Sequence, residues 1–204
     1  MPLLPAVSTE LLKAGRCSVL SGLLLAGLLA AAPQVAAAQD PGAASAVEAA
    51  YLRMIAAHFG VSTTEATHMA EDLGSAEEVP VVFLLARESG LSTSVILSRR
   101  QRAGPSGLPP WTEVARQLQL GSGTFHVEVP DDEVDDRIRG AMNAFQEVPR
   151  ARWSEVQLSD GDVVALTHLR VLSRQLGVSK GEVLRARTTA GSWVDSIRHL
   201  MGTP

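Results

Sequence analysis

The chain has 204 residues, a formal net charge of −4 at pH 7 and a single cysteine, Cys17. A nucleic-acid-binding protein usually has a basic surplus, because phosphate neutralisation supplies most of its affinity, so the acidic balance argues against a nucleic-acid partner. One cysteine excludes an internal disulfide, and the fold must therefore rely on side-chain packing.

The first 38 residues are predicted to be a signal peptide. Lys13 and Arg16 precede an apolar run over 19–32, and the segment 33–38 ends in small residues. This order is typical of an exported chain, and an apolar run of about 14 residues is shorter than the ~20 that span a bilayer. We expect cleavage after Ala38, a periplasmic or extracellular location and no stable membrane span after cleavage. An uncleaved membrane anchor is the alternative.

Beyond a disordered leader over 39–46, the chain is predicted to be all-α, because serines begin and glycines end the segments with helical periodicity. The alternating stretch 124–129 is interpreted as an extended linker, since a strand without a partner is unstable. The predicted helices, in chain order, are 47–59, 62–73, 75–89, 92–103, 111–120, 131–148, 162–176, 180–190 and 193–201.

One unit of sequence occurs twice. Residues 85–104 align without a gap with 172–191, and after an insert in the first copy Trp111 aligns with Trp193. Duplicated residues are mostly those that a fold requires, so the repeat predicts two similar three-helix units and an N-terminal helix pair. The expected divisions are 47–120 for the N-terminal helices and first unit, 121–158 for a connecting segment with one helix, and 159–204 for the second unit.

The corners between helices have a helix-turn-helix-like pattern. Gly60, Gly90 and Gly177 are predicted to end helices in the left-handed conformation, and the serine two positions later to cap the next helix. Trp111 and Trp193 fall on the apolar stripe of the last helix in each copy. We interpret both as core anchors, with an aromatic binding platform as the alternative.

Charged residues repeat as well. Arg87 and Arg174 correspond, as do Arg100 and Arg187, and an acid recurs as Glu113 and Asp195. We interpret the repeated base and acid as an ion pair within each unit that fastens the last helix to the earlier two. The alternative is that a repeated arginine binds an anionic ligand.

No catalytic, cofactor-binding or metal-ligating residue is predicted. The sequence has no nucleophile elbow, phosphate loop, zinc-ligand spacing or Cys/His pair. The segment 65–68 matches half of a di-iron Glu-x-x-His motif without a second copy, and 131–136 lacks the spacing of a calcium loop.

The repeated pattern, Leu-x-Arg-x-x-Gly-x-Ser followed by Trp-x-acid-x-x-Arg-x-Leu, resembles uncharacterised bacterial exported proteins. These carry short helical modules that end in a Trp-x-Glu-Ile-Ala-x-x-Leu-like helix. The resemblance covers 82–120 and 169–202, and the second copy departs from it at Ser196 and Ile197. It implies an exported helical domain and brings no activity with it.

The expected function is a non-enzymatic interaction or structural module of the bacterial cell envelope, which binds an envelope protein or another envelope macromolecule. The candidate partner-binding residues are Pro105, Leu108 and Pro109 of the first-copy insert, together with the repeated Arg87 and Arg174. One alternative is an envelope-processing hydrolase whose site is assembled from scattered residues. Another is helix-turn-helix DNA binding, which requires that the signal-peptide prediction is wrong.

Overall fold

The computed structural model describes residues 41–104 and 107–202, so the predicted signal peptide, its cleavage site and Pro105 lie outside the described residues. Within these ranges the fold is all-α, as predicted, and the β interaction found there is an isolated bridge between Gly104 and Gly107. Short 3₁₀ turns occupy 76–78, 122–125, 131–133 and 150–155. The α-helices are α1 (Pro41–Phe59), α2 (Thr63–Leu73), α3 (Val79–Ser89), α4 (Thr93–Arg100), α5 (Trp111–Gln117), α6 (Asp136–Glu147), α7 (Asp160–Leu176), α8 (Lys180–Ala190) and α9 (Trp193–Leu200).

The first helix begins earlier than the sequence predicts. Helix α1 starts at Pro41, so the part of the predicted disordered leader from 41 to 46 is helical. Proline is favourable at the first position of a helix, because its missing N–H has no intrahelical partner there, and the alanines that follow have the highest helix propensity. Among the described helices, none combines the length and the hydropathy needed to cross a bilayer.

The corners follow the sequence prediction. Helix α3 ends at Gly90 with φ 71°, and α7 ends at Gly177 with φ 68°, both in the left-handed region. The Ser179 side chain accepts a hydrogen bond from the Glu182 backbone N–H, and the Glu182 carboxylate accepts one from the Ser179 backbone N–H. Ser92 differs, because its hydroxyl pairs with Ser94 instead of capping α4.

Helix α5 ends sooner than predicted. It stops at Gln117, and the left-handed residue is Gln119 with φ 61°, not Gly121. Gly121 serves a different purpose, because a β-carbon there would lie 2.5 Å from Cβ of Ser154. The glycine therefore permits the close approach of the 150–155 turn and does not end the helix.

A single hydrophobic core includes side chains from α1 to α9, and α7 contributes to it along most of its length. Trp111 is fully buried and Trp193 is 3% exposed, which confirms that both indoles are core anchors. Each tryptophan is the first residue of its helix, and its backbone N–H bonds an acidic side chain from the other half of the chain. The Trp111 backbone N–H donates to Asp160 at the start of α7 (2.6 Å), and the Trp193 backbone N–H donates to Glu77 just before α3 (2.6 Å).

The predicted ion pairs within each unit are wrong. Glu113 pairs with Arg116 in its own helix, and Asp195 accepts from the Ser192 hydroxyl at the start of α9. The arginines instead lie over the tryptophans, with Arg100 4.5 Å from the Trp111 ring centroid and Arg187 5.5 Å from that of Trp193. The repeat therefore preserves an arginine–indole contact, since the indole face attracts a cation.

Arg100 has carboxylate partners, but they come from distant parts of the chain. Its guanidinium bonds both oxygens of Glu78 (3.1 and 3.2 Å) and lies 2.9 Å from Asp160. It also donates to the Pro109 carbonyl at 2.6 Å. One buried cation thus joins α4 to the residues preceding α3 and α5 and to the first residue of α7.

Candidate functional site

An open cavity of about 540 Å³ lies beside α7, the start of α8 and the segment 126–128. Its lining combines basic, polar and apolar side chains: His126, Val127, Glu128, Arg170, Ser173, Arg174, Val178 and Lys180. We call it the basic cavity.

Arg170 is held rigidly in the wall of the basic cavity. One guanidinium nitrogen donates to the carbonyl oxygens of Thr124 (2.8 Å) and His126 (2.6 Å). Burial lowers the pKa of Arg170, with smaller contributions from neighbouring charges, yet a guanidinium stays protonated in proteins. These two carbonyls, one in the 122–125 turn and one in the residue after it, therefore hold a permanently charged side chain of α7 in place.

Arg174 and Lys180 bring two further cations to the basic cavity. Arg174 follows Arg170 by one helical turn, and the Gly177 corner places Lys180 of α8 in the same lining. Among the described residues, neither Arg174 nor Lys180 has an ion-pair partner, whereas arginines such as Arg116 and Arg152 pair with acids three residues away. Glu128 is the carboxylate in the lining, so the side chains there carry three positive charges and one negative charge.

Basic residues extend beyond the cavity towards α1 and α3. The pKa of His58 is lowered by burial and then by the charges of Arg87 and Arg174. Arg87 also lies 5.1 Å from the Phe59 ring and 3.5 Å from the Glu88 carboxylate. We define the basic surface as His58, Arg87, Arg170, Arg174 and Lys180. It contains both of the repeated arginines that the sequence singled out.

His126 forms a rigid aromatic side of the cavity. Its ring centroid lies 4.0 Å from that of Trp153 and 4.9 Å from that of Phe145. The Trp153 indole N–H donates to the carbonyls of Phe145 and Val148. Burial is the main reason that the pKa of His126 is lowered, which keeps the imidazole neutral near pH 7.

The candidate residues of the insert lie elsewhere. Leu108 is 56% exposed and lines a smaller cavity of about 290 Å³ with Pro109 and Arg102. The Pro109 carbonyl accepts the bond from Arg100, and Pro110 precedes the first residue of α5, so part of the insert is structural. Of the predicted partner-binding residues, Arg174 lines the basic cavity, Leu108 and Pro109 line the smaller one, and Arg87 lines neither of these two cavities.

A buried polar pair was missed by the sequence analysis. The Tyr51 hydroxyl of α1 lies 2.7 Å from Nε2 of His168 in α7, and both side chains are fully buried. The His168 ring stacks on Trp193 at 4.8 Å. The local sequence pattern could not predict a contact between residues that are 117 positions apart. Because both side chains are fully buried, the pair is inaccessible to a ligand.

Within the described ranges, no group of three or more histidine, cysteine, aspartate or glutamate side chains could hold a metal ion. Comparison with known proteins finds no matching protein family, curated protein or solved structure. The geometry of the basic surface is therefore the basis for any functional argument.

Proposed function

We propose that this chain is an exported, non-enzymatic helical module of the bacterial cell envelope that binds an anionic envelope macromolecule through its basic surface. The observation that carries the proposal is that Arg170, Arg174 and Lys180 line one cavity, with the repeated Arg87 near enough to act on the charge of Arg170, in a chain whose net charge is −4.

The arrangement of these cations opposes stability. Arg170 and Arg174 are one helical turn apart, and like charges at this spacing destabilise a helix. Arg87 and Arg174 both act unfavourably on the charge of Arg170, whereas Glu88 and the Thr124 and His126 carbonyls favour it. A bound anion would relieve this repulsion, because charge-assisted hydrogen bonds to guanidinium groups are among the strongest in proteins.

The test is capture from envelope extract by tagged protein comprising residues 39–204. The double variant Arg87→Glu, Arg174→Glu should lose anionic components that the parent retains and releases at raised salt, because exposed charge interactions are screened. Arg116→Glu is the matched control, since it reverses an exposed arginine of α5 outside the basic surface. Equal capture by the parent and the double variant, or turnover of an envelope substrate by the purified protein, would contradict the proposal.

Export is tested separately. Intact-mass measurement of protein from the periplasm or medium should give a chain beginning at Gln39, because the predicted cleavage follows Ala38. A full-length chain that retains Met1 in the membrane fraction would show that the export prediction is wrong.

A further inference from the structure

We infer that the basic cavity binds the dianionic phosphate of a phosphomonoester. The inference rests on the proposed function and names the chemical group that the cavity recognises. It is carried by the charge of the lining, the fixed position of Arg170 and the size of the cavity.

The charge of the lining selects a dianion. Arg170, Arg174 and Lys180 contribute three positive charges, and Glu128 contributes one negative charge, which leaves two positive charges to be balanced. Arg87 and Glu88, which also act on Arg170, pair with each other and add no net charge. A phosphomonoester carries about −1.5 to −2 at pH 7. A phosphodiester or a single carboxylate carries −1 and would leave one of these cations uncompensated.

The cations are also of the kinds that bind phosphate. Two guanidinium groups of α7 and one ammonium group of α8 line the same cavity, and guanidinium groups match the geometry of phosphate oxygens. Arg170 is held in place by the Thr124 and His126 carbonyls before any ligand arrives. This fixed position reduces the entropy that binding must overcome.

The remainder of the cavity can hold the organic part of the ester. Val127, Val178 and the neutral His126 ring supply apolar and aromatic surface beside the cations. The volume of about 540 Å³ falls within the ~300–1,000 Å³ that is usual for small-molecule sites. The cavity therefore has room for an organic group beside the phosphate.

The decisive experiment compares two probes at constant pH by calorimetry on residues 39–204. Methyl phosphate and dimethyl phosphate differ by one methyl group and by one charge. We expect saturable binding of methyl phosphate at pH 7.5 and about tenfold weaker binding of dimethyl phosphate, because one ion pair is lost. Equal affinities for the two probes, or no saturable binding of methyl phosphate, would overturn the inference.

Three variants assign the binding to this cavity. Arg174→Gln and Lys180→Gln should each weaken methyl phosphate binding about tenfold, whereas Glu128→Gln should strengthen it by removing the opposing charge. Arg170 is left intact because it supports the 122–125 turn. Arg139→Gln, on α6, is the control and should leave the affinity unchanged. Unchanged affinity in all three cavity variants would overturn the inference.

Vesicles distinguish a lipid source from a soluble one. Phosphatidylcholine vesicles that contain phosphatidic acid carry phosphomonoester groups on a surface. Sedimentation of the protein with them, competed by methyl phosphate, supports a lipid-borne ligand, and binding of methyl phosphate without sedimentation supports a soluble one. Sedimentation that methyl phosphate does not compete would overturn the inference. If methyl phosphate fails to bind while Arg87→Glu, Arg174→Glu still abolishes capture, the proposed function stands and only this inference is lost.

Discussion

At the scale of single residues, the buried pair of Tyr51 and His168 has a defined protonation state. Nδ1 of His168 lies 2.7 Å from the Val164 carbonyl, which can only accept, so Nδ1 carries the proton. Nε2 then accepts from the Tyr51 hydroxyl. Burial lowers the pKa of His168 to about 4 and raises that of Tyr51. The neutral pair joins α1 to α7 beneath the Trp193 ring.

This pair predicts a loss of stability in mild acid. The pKa of His168 is about 4 in the folded protein and 6.5 in the unfolded chain. The unfolded chain therefore takes up the proton first as the pH falls. Stability should therefore decrease by about 2 kcal/mol between pH 7 and pH 5. Urea unfolding at the two pH values measures the change.

His168→Gln should remove most of this pH dependence, because glutamine does not titrate. His126→Gln is the control and should retain most of it, since His126 is only partly buried and contributes less. A parent whose free energy of unfolding is the same at pH 7 and pH 5 would show that His168 is not held neutral.

The two repeated arginine–indole contacts differ in their partners and therefore in their expected contributions. Arg100→Leu should destabilise the protein by about 2–4 kcal/mol, because Glu78 and Asp160 would lose their shared cation in a partly buried site. Arg187→Leu should cost about 1 kcal/mol or less, since it loses mainly a cation–π contact. Chemical denaturation of both variants tests the difference, and equal losses would contradict it.

At the scale of elements, local signals predicted most helix ends. The Gly90 and Gly177 corners and the Ser179 cap depend on residues within a few positions of one another, so the sequence pattern is sufficient. The end of α5 was predicted wrongly because the close approach of Ser154 requires a glycine at position 121. Ser154 is 33 positions away (154 − 121). A helix stop and a close approach use the same residue type for different reasons.

The candidate site was predictable only in part, for a similar reason. The repeat indicated Arg87 and Arg174 as candidate binding residues, and in the structure both lie near His58 and Arg170. Arg170 and Lys180 carry no repeated signal, and their position depends on the fold of the 122–125 turn and the Gly177 corner. The partners of Arg100 were missed because Glu78 and Asp160 are distant in sequence.

The corners allow a matched pair of glycine substitutions. Gly177→Val should destabilise the protein by about 2 kcal/mol or more, because a β-branched residue is strained at φ 68°, although no atom lies within 4 Å of the added β-carbon. Gly140→Ala, within α6 and equally open, should stabilise it by about 0.5–1 kcal/mol. Thermal unfolding with changes in opposite directions would support backbone conformation as the cause, and a loss at both positions would contradict it.

At the scale of the whole molecule, the charge is unevenly distributed. The full chain has 22 acidic and 18 basic residues, yet Arg170, Arg174 and Lys180 face one cavity with a single carboxylate. Elsewhere in the described residues, ion pairs such as Arg139 with Asp136 and Arg152 with Glu155 neutralise arginines locally. The basic surface is therefore a part of the described molecule where several cations lie together, and this arrangement favours the binding of an anion.

The last prediction follows from this imbalance and concerns stability without any ligand. Arg174→Gln should raise the free energy of unfolding by at most a few tenths of a kcal/mol at low ionic strength, because it removes the repulsion with Arg170 one turn away but also a cation that the dipole of α7 favours in its last turn. The gain should shrink at about 1 M salt, where the screening length falls to about 3 Å. Arg139→Gln should instead lower stability slightly, since Arg139 is paired with Asp136. Urea unfolding at both salt concentrations measures these changes. A parent that is more stable than Arg174→Gln at low salt would show that Arg174 supports the fold, and would contradict this prediction.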